Sequence, residues 1–203
     1  MNYPNKIKIG VCGGAHEPYD PELSKQSYII GQEIAKLGCT IVTGATHGYP
    51  YESAKGATEA GGVSLGISPA DGKTNHGTEY KLPYDVFDPI VYTGVGFQGR
   101  NIVIIRSCDA VIFVGGGSGT LNEFTAAFRL GRPLGILKGS GAISDNLDTI
   151  VDICTRSSAP PPIFHDTDPV KLVHDTHAAI KKYIEILNTK IVQAGKHGSE
   201  GTD

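Results

Sequence analysis

The stretch Asp109-Ala-Val-Ile-Phe-Val-Gly-Gly-Gly-Ser-Gly-Thr-Leu-Asn-Glu-Phe124 carries the strongest fold signal in the chain. Its segment 110–114 is a short apolar run rich in β-branched residues, which predicts a buried strand. The glycine-rich segment 115–120 follows directly, and 121–130 has apolar residues spaced as on one face of a helix. A strand, a glycine turn and a helix start are typical of an anion site, because glycines allow close approach and the first helical N–H groups point outward.

Strand-like and helix-like segments alternate along the rest of the chain. Strands are predicted at 7–12, 39–43, 63–67, 86–92, 110–114, 133–137 and 163–165. Helices are predicted at 21–37, 50–60, 97–108, 121–130, 144–153, with Ser144 as its cap, and 168–187. Short β-branched strands joined by helical crossovers predict an α/β fold with a doubly wound, mostly parallel sheet and helices on both faces. We expect the polar segment 71–85 to form a surface loop over the site.

The composition limits the classes of function. The chain has 203 residues, of which 39% are hydrophobic, so we expect a single domain at 1–190 and a polar tail at 191–203. A net charge of -3 gives no polyanion-binding surface, so we expect no nucleic-acid partner. Because the sequence lacks both an apolar run of about 18 residues and a signal-peptide pattern, we expect no membrane association and a cytoplasmic location.

Three glycine turns, at 13–16, 44–48 and 115–120, each follow a predicted strand and are expected to lie close together. Ligands of doubly wound folds bind outside the carboxyl ends of the strands, near the point where the strand order reverses. The candidate phosphate- or nucleotide-binding residues are therefore Gly13, Gly14, Gly44, Gly115, Gly116, Gly117, Ser118, Gly119 and Thr120. The third turn is neither a Walker loop nor the usual dinucleotide fingerprint. The alternative is a tight strand-to-helix turn that binds nothing.

Two charged residues flank the third turn. Glu123 would face the crevice and stabilise a positively charged sugar or orient a water, or it would complete a capping box with Ser118 or Thr120. Arg100, which follows three nearby glycines, suits bidentate binding of phosphate or carboxylate, although a solvated surface arginine is the alternative. His16 and His47 lie in the first two turns as further candidates for contact with a ligand.

No metal site is predicted. None of the four cysteines has the spacing of a metal or redox motif, and three of them adjoin apolar strand-like runs. His174 and His177 are three residues apart on the last predicted helix, but no third ligand accompanies them.

The segment Gly116-Gly117-Ser118-Gly119-Thr120-Leu121-Asn122-Glu123 resembles the Gly-Gly-x-Gly-Thr-x-x-Glu motif of the Lonely Guy family, the nucleoside 5′-monophosphate phosphoribohydrolases often labelled lysine decarboxylases. The order of elements from 7 to 137 is also similar. The resemblance implies a Rossmann-like fold and hydrolysis of the N-glycosidic bond of a nucleoside monophosphate. It further implies that Arg100 and Glu123 are the catalytic residues, that no cofactor is needed, and that the protein forms a homodimer or higher homo-oligomer.

Three departures from the family pattern leave a second function open. Asn101 stands where the family has lysine, Gly115 stands where it has proline, and the loop 43–50 lacks the usual triple glycine. The Arg-Asn pair and the glycine loop are similar to those of the molybdenum cofactor carrier protein, a binder in the same superfamily. That likeness implies a non-catalytic carrier of a nucleotide or phosphorylated pterin-type cofactor. A third alternative, an NAD-dependent oxidoreductase, is disfavoured because the first turn lacks the fingerprint.

Overall fold

The computed structural model describes residues 6–155 and 160–197, without the side chains of 183 and 186–197. Its sheet contains seven parallel strands in the order β4-β3-β2-β1-β5-β6-β7. The strands are β1 Lys8–Gly13, β2 Thr40–Thr43, β3 Val63–Ser68, β4 Ile90–Tyr92, β5 Ala110–Val114, β6 Leu134–Leu137 and β7 Ile163–Asp166. The helices are α1 Pro21–Lys36, α2 Tyr49–Glu59, α3 Lys73–Thr78, α4 Gly96–Ser107, α5 Ser118–Arg129, α6 Leu147–Cys154 and α7 Pro169–His197. The predicted α/β, doubly wound class is confirmed.

Two apolar cores cover the two faces of the sheet. Successive side chains of β5 alternate, so that Ile112 packs into one core and Phe113 into the other. The first core includes Ile30 of α1 and Leu172 of α7. The second core includes Phe124 of α5, whose ring meets that of Phe113 edge to face at 5.5 Å. Strands buried on both faces explain why β5 is apolar at every position.

The segment 71–85 differs from the prediction. It contains α3, and it is anchored by His76, which is fully buried and bonded through its two ring nitrogens to Ser68 Oγ (2.8 Å) and the Pro83 carbonyl (2.9 Å). It packs beside β3 and β4, and none of its residues lines the cavity described below. The predicted loop over the site is therefore wrong, because a tertiary anchor at one histidine overrides the polar local pattern.

Two helix ends also differ from the sequence-based prediction. Ser144 does not cap α6, because it lies in a short 3₁₀ turn, Ser144–Asn146, and its hydroxyl bonds to Gly115 instead. Helix α7 continues to His197 rather than ending near 187. Residues 198–203 of the predicted tail lie outside the described residues. Within the described residues, no helix is both long and apolar enough to cross a membrane.

Helices α1 and α2 cross at two glycines. A Cβ added at Gly31 would lie 1.8 Å from the Ser53 carbonyl oxygen, and one at Gly56 would lie 2.0 Å from the Tyr28 carbonyl oxygen. Both clashing atoms belong to the backbone, so a side chain at either glycine could be accommodated only if α1 and α2 moved apart.

We expect Gly31→Ala to lower the free energy of unfolding by about 3 kcal/mol, the upper range for overpacking a core. Urea denaturation measures the loss. Gly72→Ala is the control, because no atom of the described residues lies within 4 Å of a Cβ placed at Gly72. Equal stability of the two variants would contradict the close crossing.

Candidate functional site

A cavity of about 520 Å³ opens at the carboxyl ends of β1 and β5. These two strands are neighbours in the middle of the sheet, where the strand order reverses, which is the expected place for a ligand in a doubly wound fold. The cavity is lined by all of the predicted site residues: Gly13, Gly14, Gly44, Arg100, Gly115, Gly116, Gly117, Ser118, Gly119, Thr120 and Glu123. His16 also lines it, but His47 is exposed and contacts the Lys81 carbonyl at 3.0 Å.

The third glycine turn, 115–120, called the glycine loop below, lines this cavity and has a series of backbone N–H groups that are free to bind a ligand. Helix α5 begins at Ser118, three residues earlier than predicted, with Gly117 as its N-cap and no side-chain cap. In the part of the chain that the structure describes, the N–H groups of 116–120 donate no hydrogen bond. Gly115 and Gly116 have φ angles of 58° and 89°, the left-handed region that favours glycine. The loop therefore has the geometry of an anion site at a helix N-terminus.

Gly115 makes an indirect contribution to the loop. Its N–H donates to Ser140 Oγ at 2.9 Å, so this donor is already satisfied by the protein. The free donors begin at Gly116. The conformation of Gly115, rather than its N–H, is what the loop requires.

Glu123 faces the cavity and does not cap its own helix. Its side chain is buried, and Oε1 lies 3.4 Å from Nη1 of Arg100. Burial raises the pKa of Glu123 to about 7, although the positive charge of Arg100 opposes this shift. The capping-box alternative is wrong, because Gly117 occupies the N-cap and Glu123 bonds to Arg100 instead.

Arg100 is buried beside the carboxylate rather than solvated. Its Nη1 donates to Asn101 Oδ1 at 3.0 Å, and its buried Nε has no partner among the described residues. The guanidinium lies against Gly44, and a Cβ added there would be 2.4 Å from its Cζ atom. The same Cζ atom lies 5.7 Å from the centre of the Phe97 ring. Burial lowers the pKa of Arg100, opposed by the charge of Glu123. The Arg100 side chain lines the cavity, while its Nε is buried beneath the surface of the wall.

Asn101 connects the pair to α5. Its amide nitrogen donates to Asn122 Oδ1 at 3.2 Å, while its oxygen accepts from Arg100. A lysine at this position would remove that acceptor and add a second cation. With asparagine at position 101, Arg100 has two partners, the Asn101 amide and the Glu123 carboxylate.

Sequence reasoning missed several residues that shape the cavity. The ring of Tyr49 packs against Gly14, 3.1 Å from a Cβ placed there, and its hydroxyl accepts from the N–H of Asp20. Ser140 lies in the cavity wall, and its place after a predicted strand was a usable signal. Cys12 is buried in the same wall, and burial raises its pKa well above the usual value, so that the thiol stays protonated.

The remaining titratable candidates lie apart from the cavity. His174 contacts Glu33 at 3.3 Å across the α1–α7 contact. Within the described ranges, no group of three His, Cys, Asp or Glu side chains is arranged to hold a metal ion.

The fold and the cavity together define a class: a Rossmann-like α/β protein with a glycine-rich anion loop and a buried Arg–Glu pair at its sheet reversal. The chain belongs to the SLOG cluster4 family, which it matches over residues 6–173. The predicted relationship to the Lonely Guy superfamily is thereby confirmed.

Similar proteins share most of their length with this chain. A relative from Archaeoglobus fulgidus, described as uncharacterized, is 34% identical over 157 residues, which are 75% of this chain and 97% of the relative. The molybdenum cofactor binding protein from the phototrophic bacterium Rippkaea orientalis is 27% identical, with a TM-score of 0.70 over 87% of this chain and 99% of that structure. The molybdenum cofactor carrier protein of Chlamydomonas reinhardtii has the same fold, at 23% identity and a TM-score of 0.70, over 87% of this chain and 99% of that structure.

Proposed function

We propose that the cavity binds a nucleoside 5′-monophosphate and that the protein hydrolyses its N-glycosidic bond, giving free base and ribose 5-phosphate. The observation that carries this proposal is the position of Glu123. Its carboxylate is buried in the cavity, bonded to Arg100 and next to the anion loop. A carboxylate next to a bound anion repels it, which favours a chemical role for Glu123 over a role in anion binding.

The phosphate binds to the start of α5. The N–H groups of 116–120 and the positive end of the helix dipole attract it, and the Ser118 and Thr120 hydroxyls lie in the same wall. The guanidinium of Arg100, which lines the cavity, anchors the sugar side of the ligand. These contacts orient the ribose toward Glu123 and exclude part of the solvent.

The reaction then breaks the bond between C1′ of ribose and the base nitrogen. Ionised Glu123 stabilises the positive charge that develops on the sugar and accepts a proton from the attacking water. The water oxygen bonds to C1′, and the base leaves with the bonding pair and takes a proton from solvent. A pKa of about 7 for Glu123 suits this role, because the carboxylate is both ionised in part and basic at neutral pH.

Incubation with a panel of nucleoside monophosphates, assayed for free base, tests the proposal. We expect release by the wild type and a fall of at least about 100-fold for Glu123→Gln, the usual scale for a general base. Glu33→Gln is the matched control, because Glu33 is also buried and ion-paired but lies on α1, outside the cavity. Release that persists in Glu123→Gln would refute the assigned role.

A non-catalytic carrier of a nucleotide or phosphorylated pterin-type cofactor is the second candidate. It is supported by the likeness to the Rippkaea orientalis protein and by Asn101, which holds Arg100 at 3.0 Å. Tight binding of a phosphorylated ligand without release of base, in wild type and Glu123→Gln alike, would favour this function over hydrolysis.

The homodimer or higher homo-oligomer implied by the resemblance stays a prediction. It is supported by α4, where Phe97, Ile102 and Val103 are exposed although they are apolar.

A further inference from the structure

A second loop, 139–146, holds the carbonyl groups of the glycine loop from outside. Ser144 Oγ donates to the carbonyl of Gly115 at 2.7 Å. The N–H of Ile143 donates to the carbonyl of Gly116 at 3.0 Å. Both successive carbonyls of the left-handed turn are thus directed toward loop 139–146.

Ser140 binds the backbone N–H of Gly115. Its hydroxyl donates to the Leu137 carbonyl at 2.6 Å, which leaves the oxygen to accept the N–H of Gly115 at 2.9 Å. Ser140 and Ser144 are both buried, so water does not replace these bonds. The N–H of Gly115 is therefore bound by Ser140, 25 residues away, and its carbonyl is bound by Ser144, 29 residues away.

The direction of these carbonyls decides where the ligand donors point. In a trans peptide the C=O and the following N–H point in opposite directions. Because the Gly115 and Gly116 carbonyls bond to Ser144 and Ile143, the N–H groups of Gly116 and Gly117 point away from those two residues. Gly116 and Gly117 both line the cavity. We propose that Ser140 and Ser144 are positioning residues that aim these two N–H groups at a bound phosphate. This inference rests on the proposed binding of a phosphorylated ligand.

Loop 139–146 is itself braced in a single shape. The carboxylate of Asp145 accepts the N–H of Gly139 and the N–H of Gly141, each at 2.9 Å. Both glycines have positive φ angles, of 77° and 72°. The serines therefore sit on a loop that is ordered by its own hydrogen bonds.

Calorimetric titration with AMP and with adenosine, with Glu123→Gln present in every variant so that AMP is not consumed, tests the inference by comparing the affinities for the two ligands. We expect Ser144→Ala to bind AMP about tenfold more weakly, the scale of one lost buried hydrogen bond, with adenosine affinity unchanged. Ser140→Ala should act in the same direction, so the test stands if one variant fails to fold. Ser27→Ala is the matched control, because the hydroxyl of Ser27 is fully buried and has no hydrogen-bond partner among the described residues.

Amide NMR supplies a readout that general destabilisation would not produce. Titration of the wild type with inorganic phosphate should shift the Gly116 and Gly117 N–H signals, and the shifts should shrink in Ser144→Ala at equal phosphate concentration. If the Glu123→Gln protein binds AMP and both serine variants keep its affinity and its preference over adenosine, the positioning role is refuted while the proposed function stands. If no nucleoside monophosphate and no phosphate binds the wild type, both are refuted.

Discussion

At about pH 8, Glu123→Gln should be more stable than wild type by about 3 kcal/mol, although the change removes an ion pair. Burial raises the pKa of Glu123 from its ordinary value of 4.5 to about 7 in the folded protein. Below about pH 4 the carboxyl is protonated in both the folded and the unfolded states, so the ionisation penalty vanishes. The wild type therefore loses stability as the pH rises from 4.5 to about 7, and the amide variant does not.

Urea denaturation of both proteins at about pH 4 and about pH 8 measures this difference. Glu33→Gln supplies a control of opposite sign, because the hydrogen bond from Lys36 lowers the pKa of Glu33. Its contribution to stability is present above its ordinary pKa and is lost as the pH falls through the lowered value. A Glu123→Gln advantage that is equal at both pH values would contradict a raised pKa for this carboxyl.

Gly44→Ala should reduce kcat for base release by at least about 100-fold, the scale expected when a catalytic group moves by about 1 Å. The new Cβ would lie 2.4 Å from Cζ of Arg100, and the guanidinium is the mobile end of its side chain, so it moves while the fold persists. Displacement takes the positive charge away from Glu123. The pKa of Glu123 should then rise further, and the acid limb of the pH–rate profile should shift to higher pH.

Steady-state kinetics and a carboxyl-carbon NMR titration of Glu123 measure the two effects of Gly44→Ala. Gly72→Ala is again a suitable control, because its position is open and outside the cavity. The NMR titration does not depend on turnover, so it remains informative for a non-catalytic carrier. A variant with normal kcat and an unchanged Glu123 pKa would show that the Gly44 contact does not hold Arg100.

The central part of the fold could be predicted because its signals are local. The strand predicted at 110–114 is observed at Ala110–Val114, since five buried apolar residues in a row fit a parallel strand covered on both faces. The start of α5 was placed three residues late, because glycine and serine at 117–119 read as a turn. The helix within 71–85 was missed because His76 anchors it through contacts to Ser68, outside the segment, and to the Pro83 carbonyl near its end.

The part of the candidate site that could be predicted from the sequence is the set of glycine turns at the ends of the strands. Glycines after β1, β2 and β5 meet because parallel strands end at one edge of the sheet. The sequence could not choose between the two roles of Glu123, since the choice depends on where Arg100 lies, 23 residues earlier. Nor could it assign the partners of Ser140 and Ser144, because hydrogen bonds across 25 and 29 residues leave no periodic signal.

The pairing of β1 with β5 also makes the site depend on a contact between distant parts of the chain. Gly13 pairs with Val114, and the N–H of Gly14 donates to the Val114 carbonyl, so the cavity joins residues about a hundred positions apart in the chain. Such contacts close a long loop, which costs chain entropy and slows folding. A ligand of this cavity therefore binds only chains in which β5 has already inserted beside β1, and its binding energy adds directly to the stability of the completed fold.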